Sequence, residues 1–234
     1  MLGALAVAAL LSGCAATAPT EPPAPPTHLD LSAIDVADSA RNGIEYVSGA
    51  DALTATLRAA RAAKTVTMTG VYTRHPVESD DAPTVPGGTL DVQFSGSASA
   101  FTARIASGDR TVDFIGVDGD RYLREADAAG FSCYAASAPQ VAEWGALLDP
   151  ITLIDELFSG ATLVMGAAGE STVDILIEAN GGTAGSLTVA SIDRALPSRA
   201  LIADEASSVL LDFAEWGAER AAPAVPAELL QSCD

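Results

Sequence analysis

The chain has 234 residues and carries 31 Asp plus Glu against 12 Lys plus Arg, which gives a formal net charge of −19 at pH 7. A surface this acidic repels phosphate backbones and anionic headgroups. The composition therefore argues against nucleic acid as a partner and against peripheral membrane binding through a basic face. Hydrophobic residues make up 49% of the chain but aromatic residues only 5%, so we expect a core of small and aliphatic side chains.

The first feature along the chain is an apolar run, Met1–Leu11, followed by Ser12-Gly13-Cys14. The run is too short to cross about 30 Å of hydrocarbon, which takes roughly 20 apolar residues, and it suits the apolar region of a signal peptide. Leu11-Ser12-Gly13-Cys14 resembles the lipobox of bacterial lipoproteins. This resemblance implies that residues 1–13 are a signal peptide and that Cys14 carries acyl groups such as palmitate. The alternative is a cytosolic N-terminus with a cysteine there by chance.

No basic residue precedes this apolar run, so we expect the natural start to lie a few codons upstream. The segment after Cys14 is rich in proline, with five prolines in Ala15–Thr27. Because proline fixes φ and lacks an N–H donor, we expect residues 14–27 to be a lipidated cysteine with an extended spacer up to ~40 Å long. Residues 28–234 are then one exported domain, anchored by lipid on the extracytoplasmic face of the cell membrane.

The first predicted elements of this domain are a helix and a strand. Ser48 or Asp51 can cap a helix that runs to about Ala63. The pattern then changes period, and Thr65–Arg74 alternates as a half-buried strand does. Pro76–Gly88 is a loop with an acidic cluster. Its spacing fits no EF-hand, so we interpret it as a solvated loop rather than a calcium site.

Thr89–Glu125 carries the clearest strand pattern in the chain. Apolar residues alternate with polar ones in successive stretches. Asp118-Gly119 is typical of a type I′ hairpin turn, in which both central residues need a positive φ. We therefore predict an antiparallel meander with one apolar face. Asp127–Pro139, which contains Cys133, is predicted to be irregular.

A second helix and a second meander follow. Asp149 is expected to cap the helix, Pro150 to occupy its first turn and Gly160 to end it. Its predicted apolar stripe consists of Ile151, Ile154, Leu157 and Phe158. Alternating residues then predict strands within 173–189 and a last strand over 208–213.

The three cysteines divide by position. Cys14 belongs to the lipobox, which leaves Cys133 and Cys233. Two remaining thiols usually pair outside the cytoplasm, so we predict a disulfide between them, with two free thiols as the alternative. By loop entropy alone, closing about 100 residues stabilises a fold by up to ~4.7 kcal/mol.

The sequence lacks the motifs of the common catalytic and cofactor sites. Its only histidines are His28 and His75, and no G-x-S-x-G, H-E-x-x-H, P-loop or G-x-G-x-x-G pattern occurs. No Cys/His cluster suggests a metal. We therefore expect no catalytic residues, no metal and no cofactor, and we expect that the protein is not an enzyme.

Four features in order carry a resemblance to a known family: the lipobox with its spacer, Gly119–Arg124 (GDRYLR), Trp144 ahead of Asp149-Pro150, and Phe213–Gly217 (FAEWG). Over roughly residues 48–226 the chain is similar to the LppX/LprAFG-like lipoproteins of actinobacteria, relatives of the LolA-type lipoprotein carriers. The resemblance implies an α+β fold in which helices pack on the concave face of one strongly curved antiparallel sheet, a half-barrel, around an apolar cavity. It also implies that acyl chains of envelope lipids are bound there and carried or presented.

In such a fold, the inward-facing side chains of the sheet and of a lid helix would line the lipid cavity. The candidates are Val66, Met68, Leu90, Val92, Phe94, Phe101, Ala103, Ile105, Val112, Phe114, Ile151, Ile154, Leu157, Ile175, Ile177, Leu187 and Val189. Burying each CH₂ is worth about 0.8 kcal/mol, so a chain of roughly 16 carbons gains on the order of 10 kcal/mol before ordering costs.

The expected partners are an envelope lipid or glycolipid, the membrane through the N-terminal anchor, and other envelope transport proteins. Nucleic acid is not expected. The alternative function is a non-catalytic extracellular protein-interaction or sensor module of the same fold, in which the same apolar residues fill a packed core. A partner would then bind at the rim of the domain.

Overall fold

The computed structural model describes residues 40–74, 88–179, 182–203, 207–225 and 233. The predictions for the signal peptide, for Cys14 and its spacer, and for most of the loop Pro76–Gly88 lie outside the described residues. Among the helices that the structure describes, none has the length and hydropathy needed to cross a bilayer.

Three helices are present in the described residues, and two of them begin at the side chains expected from the sequence. Their bounds are α1 Gly49–Ala63, α2 Pro139–Ala142 and α3 Pro150–Phe158, with short 3₁₀ helices at Ile44–Tyr46 and Gly145–Leu148. Ser48, rather than Asp51, caps α1, because its hydroxyl accepts a hydrogen bond from the Asp51 N–H. The carboxylate of Asp149 accepts from the N–H groups of Ile151 and Thr152 at 3.2 Å each, which fixes the start of α3.

In the described part of the chain, eleven strands form one antiparallel sheet. Their bounds are β1 Val66–Arg74, β2 Gly88–Gly96, β3 Ala100–Ser107, β4 Arg110–Val117, β5 Asp120–Glu125, β6 Ser132–Ala135, β7 Thr162–Ala168, β8 Thr172–Ala179, β9 Gly182–Ala190, β10 Pro197–Ala203 and β11 Ser207–Ala214. The order across the sheet is β6-β5-β4-β3-β2-β1-β11-β10-β9-β8-β7, so β6 and β7 are its two edges. The strands β1 and β11 pair at the centre and join two meanders into one sheet.

The turn prediction at Asp118-Gly119 is confirmed, since both residues have a positive φ, 50° and 100°. The prediction that Asp127–Pro139 is irregular is wrong over part of its length. Within it, β6 pairs with β5, and Tyr122 lies opposite Cys133. The strands β7 and β10 are further elements that the sequence pattern did not predict.

The helices cover one face of the sheet, which we call the helix face, and the opposite face is the outer face. Strand register places the apolar residues of successive strands side by side on the helix face: Met68, Phe94, Ala103 and Phe114 lie in one such row. Buried residues of α1 and α3 belong to the same core as these strand residues. The predicted fold class is confirmed: an α+β fold with helices on one face of a large antiparallel half-barrel sheet.

The C-terminal segment, Glu215–Val225, is fastened to the sheet by side chains on its outer face. The guanidinium of Arg220 donates to the hydroxyls of Ser95 and Thr67 at 2.7 Å each. Farther along the chain, Cys233 lies against Cys133 of the edge strand β6, with the two Cα atoms 5.1 Å apart and the sulfur atoms paired. This separation lies within the range of protein disulfides.

Candidate functional site

A groove of about 510 Å³ opens at one margin of the core, between the end of the β1–β2 pair and the segment from α2 to α3. Its lining is mostly apolar, with three charged side chains. The lining residues are Tyr72, Arg74, Gly88, Leu90, Glu143, Trp144, Ala146, Leu147, Leu153, Glu156 and Leu157. A largely apolar concavity of this size, with few polar groups, is typical of a site for a small apolar ligand.

One wall of the groove is built by the paired ends of β1 and β2. Tyr72 lies opposite Leu90, and Arg74 lies opposite Gly88. Because residues two apart in a strand share a face, Gly88 and Leu90 both belong to the helix face. A Cβ atom at Gly88 would meet nothing within 4 Å. The missing side chain therefore contributes to the opening of the groove.

The other wall comes from the 3₁₀ helix Gly145–Leu148, from the two residues that precede it, and from α3. Trp144 packs edge-on against Phe114 of β4, with ring centroids 6.1 Å apart, and the guanidinium of Arg110 lies 5.9 Å from the indole. Its indole N–H is buried and has no acceptor in the described part of the chain. On α3, Leu153 is buried and Leu157 is half-buried. Asp149 sets the position of both leucines because it caps this helix.

Charged side chains stand at the rim of the groove. Arg74, Glu143 and Glu156 are exposed. None of the three takes part in an ion pair within the described ranges. An apolar interior with charged groups at the mouth matches an amphiphile, whose chain can enter while its polar headgroup stays in water.

The structure places the seventeen predicted cavity residues on or around the helix face. Thirteen of them are buried in one core and four are half-buried, namely Leu90, Ile151, Leu157 and Ile177. Leu90 and Leu157 line the groove. Most of the others fill space by packing on one another, as Phe94 and Phe101 do with ring centroids 5.1 Å apart. The groove therefore lies at the margin of the predicted set.

Sequence reasoning missed several residues of the groove. Tyr72, Leu147 and Leu153 were not among the predicted cavity residues, and neither was Gly88, which contributes by having no side chain. Trp144 belongs to the family motif, but the sequence predicts no site role for it. The signal for such a role is its position just ahead of the Asp149-Pro150 cap.

The described residues contain one group with the composition of a metal site, Asp120 with Cys133 and Cys233, whose candidate ligand atoms lie within 4.8 Å of one another. The two sulfur atoms are paired with each other in the structure. A disulfide cannot supply the thiolates that a metal would need. The two cysteines of this cluster therefore link Cys233, near the C-terminus, to strand β6.

The chain was compared with known families, proteins and structures. No family model matches it, and no curated protein matches its sequence. Among solved structures it is similar to the crystal structure of LprF from Mycobacterium bovis, with a TM-score of 0.41 and 12% sequence identity over 75% of this chain and 96% of that chain. This likeness is a limited similarity of the chain trace.

Proposed function

We propose that this protein is an exported lipoprotein, held to the cell membrane through acylated Cys14, that binds an envelope lipid or glycolipid and carries or presents it. The observation that carries the proposal is the groove between Tyr72, Leu90, Trp144 and Leu157. The signal-like N-terminus and the lipobox supply the membrane anchor in this proposal, and the resemblance in sequence motifs supplies the ligand class.

The physical basis of binding would be the burial of one acyl chain. Each CH₂ removed from water contributes about 0.8 kcal/mol. Roughly ten methylenes in the groove would therefore contribute on the order of 8 kcal/mol, from which the ordering of the chain subtracts several kcal/mol. Arg74, Glu143 and Glu156 would face the headgroup at the mouth, where water still solvates it.

The proposed function is binding without catalysis. Among the described residues that line the groove, Tyr72, Glu143 and Glu156 are the side chains able to transfer a proton, and none is a His, Cys, Ser or Lys. Both glutamates are exposed at the rim, whereas catalysis depends on such groups held in convergent positions. A carrier needs only an apolar volume and reversible access to it.

Uptake of a fluorescent fatty acid tests this function. The full chain, produced with Cys14→Ser so that it is not acylated, is delipidated and titrated with a 16-carbon fatty acid that carries a fluorophore excited by tryptophan. Saturable binding with energy transfer from Trp144 is expected, and the Trp144→Phe variant should lose most of the transfer. Trp216 remains as a donor at the opposite end of β1, where Gly217 bonds to Thr65. A titration without saturation would overturn the proposal.

A second candidate is a protein-interaction or sensor module with no lipid ligand. The filled core favours it, because thirteen of the predicted cavity residues are buried against one another. Mass spectrometry of organic extracts from the acylated protein purified from its own membrane separates the two candidates. A lipid recovered in equal molar amount supports the carrier, and an extract holding only the anchor's acyl groups supports the module.

A further inference from the structure

A row of aliphatic side chains crosses the outer face of the sheet from its centre to one edge. Strand register places its members directly opposite one another, in steps from β1 through β11, β10, β9 and β8 to β7. We call it the outer row, and it consists of Val71, Leu210, Leu201, Ser186, Leu176 and Val164. Five of its six members are aliphatic. At about 4.8 Å per strand, the five steps span roughly 24 Å.

Three members of the outer row are exposed to solvent, and the other three, Val71, Ser186 and Leu176, are half-buried. Leu201 is 46% exposed, Leu210 is 43% exposed and Val164 is 37% exposed. These three are among only five large hydrophobic residues with such exposure in the described residues. Single exposed leucines are ordinary, but Leu201 and Leu210 lie directly opposite each other and expose one shared apolar patch, which is typical of an interaction surface.

Acidic side chains flank the outer row. Asp91 lies opposite Val71 at its inner end, and Asp174 and Glu178 stand two residues to either side of Leu176 on the same face. Asp212 stands beside Leu210 and is paired with Arg199 at 2.7 Å. Arg199 is thus the one basic residue next to the row among those described, and its charge is already matched. The flanks carry an excess of negative charge.

We propose that the outer row docks a cationic amphipathic segment of a partner protein, with aliphatic side chains on the row and Lys or Arg beside the flanking carboxylates. A length of 24 Å corresponds to about 16 residues of α-helix. The sign of the flanks selects this occupant. A second copy brings another net charge of −19 to the same face, and anionic headgroups are repelled by the same carboxylates.

This surface is separate from the groove. Val71 belongs to the outer row, whereas its neighbour Tyr72 lines the groove on the helix face, because successive residues of a strand point to opposite faces. A partner can therefore bind while the groove is occupied. The docking surface does not rest on the proposed lipid function, and either can fail without the other.

The probe is a synthetic 16-residue helix with leucines along one face and lysines on its flanks, labelled for fluorescence anisotropy. The control peptide has the same composition in an order that destroys the leucine face. With the full chain carrying Cys14→Ser, we expect saturable binding of the first peptide and at least tenfold weaker binding of the second. Added salt should weaken the binding because the flanking charges contribute to it.

Matched variants locate the surface. Leu201→Ser combined with Leu210→Ser should weaken peptide binding at least tenfold, while Val47→Ser, which changes a residue 41% exposed outside the row, should leave it unchanged. Glu178→Lys is a second variant that keeps the leucines and should weaken binding several-fold. Because these side chains are exposed, each variant should keep the melting temperature and the fatty-acid uptake of the parent chain.

Three results would overturn the proposal. Equal affinity for both peptides, or an affinity that the leucine variants do not change, would remove the outer row as a docking site. Co-sedimentation with phosphatidylcholine or phosphatidylglycerol vesicles that the double variant abolishes would assign the row to a lipid surface. A dimer in analytical ultracentrifugation that the double variant dissociates would assign it to a second copy.

Discussion

The ring of Phe101 on β3 lies over Gly116 on β4 and occupies the space that a side chain at Gly116 would need. The ring is fully buried, stacks on Phe94, and has the guanidinium of Arg121 5.0 Å from its centroid on another side. It is thus held on several sides. Glycine is required at position 116 because of this close approach.

Gly116→Ala should therefore destabilise the protein. The new Cβ collides with the Phe101 ring, and overpacking of a filled core costs about 1–3 kcal/mol. For a chain of this size, each kcal/mol lowers the melting temperature by roughly 2–4 °C. Gly88→Ala is the matched control, since a Cβ there meets nothing within 4 Å, and it should leave stability unchanged or raise it slightly. Equal melting temperatures of the two variants would contradict this account.

The pairing of Cys133 with Cys233 predicts a redox-dependent stability. Together with the hydrogen bonds of Arg220 to Thr67 and Ser95, it fastens the C-terminus across the sheet. Thermal unfolding with and without dithiothreitol should show that the free energy of unfolding falls by up to ~4.7 kcal/mol when the disulfide that closes the roughly 100-residue loop is reduced. The variant with Cys133→Ser and Cys233→Ser should match the reduced protein and should not respond to dithiothreitol.

A thiol assay on the denatured chain carrying Cys14→Ser checks the bond directly. We expect no reactive thiol before reduction and two afterwards. Two thiols before reduction would show that both cysteines are free, which is the alternative left open by the sequence.

The sequence predicts best where one short stretch determines the local backbone. Asp118-Gly119 could be predicted because a type I′ turn needs two positive φ angles, and Asp149-Pro150 because a carboxylate cap and a proline suit a helix start. The alternation within β2, β3 and β4 predicted the apolar helix face for the same reason, since strand residues two apart share a face.

The elements that sequence reasoning missed depend on distant pairing. The edge strand β6 is short and carries Cys133, and β10 begins at Pro197 and contains an irregular register at that end. Neither β6 nor β10 shows a clean alternation of apolar and polar residues. In α3, Leu153 is buried although it is not part of the predicted stripe. This helix packs against both α1 and the 3₁₀ helix Gly145–Leu148, so more than one of its faces is covered. The groove likewise depends on gaps between elements, which residue periodicity does not record.

The ion pairs of Asp113 predict a loss of stability in acid. Partial burial favours the neutral carboxyl, but the hydrogen bonds and charges of Arg104 and Arg124, at 2.7 Å each, outweigh it and hold the pKa of Asp113 below its ordinary value. An aspartate whose pKa is lower in the folded state stabilises the protein above the unfolded pKa of about 3.9. This stabilisation is lost as the pH falls through the folded pKa.

Asp113→Asn should therefore cost about 1 kcal/mol at pH 7, a value limited by the exposure of both arginines. The cost should shrink as the pH falls below the unfolded pKa of about 3.9 and through the lower folded pKa of Asp113. Urea unfolding of both proteins at a series of pH values measures this cost. Asp91→Asn is the control, because Asp91 is a strand carboxylate with no ion pair in the described part of the chain, and its effect at pH 7 should be smaller. A cost at Asp113 that does not change with pH would contradict the ion-pair origin.

Gly88→Phe should fill part of the groove, because it places a ring on the helix face beside Leu90, in a volume where a Cβ meets nothing. The variant should therefore fold normally and lose fatty-acid binding at least tenfold, because the ring occupies space that roughly two or more methylenes at about 0.8 kcal/mol each would fill. Thr89→Phe is the matched control, since it adds the same ring one residue along, on the outer face. A substitution at Ala103 is a weaker test, because Ala103 is buried among packed side chains. A larger residue there would overpack the core and change stability together with binding. Unchanged uptake by a folded Gly88→Phe variant would place the ligand elsewhere.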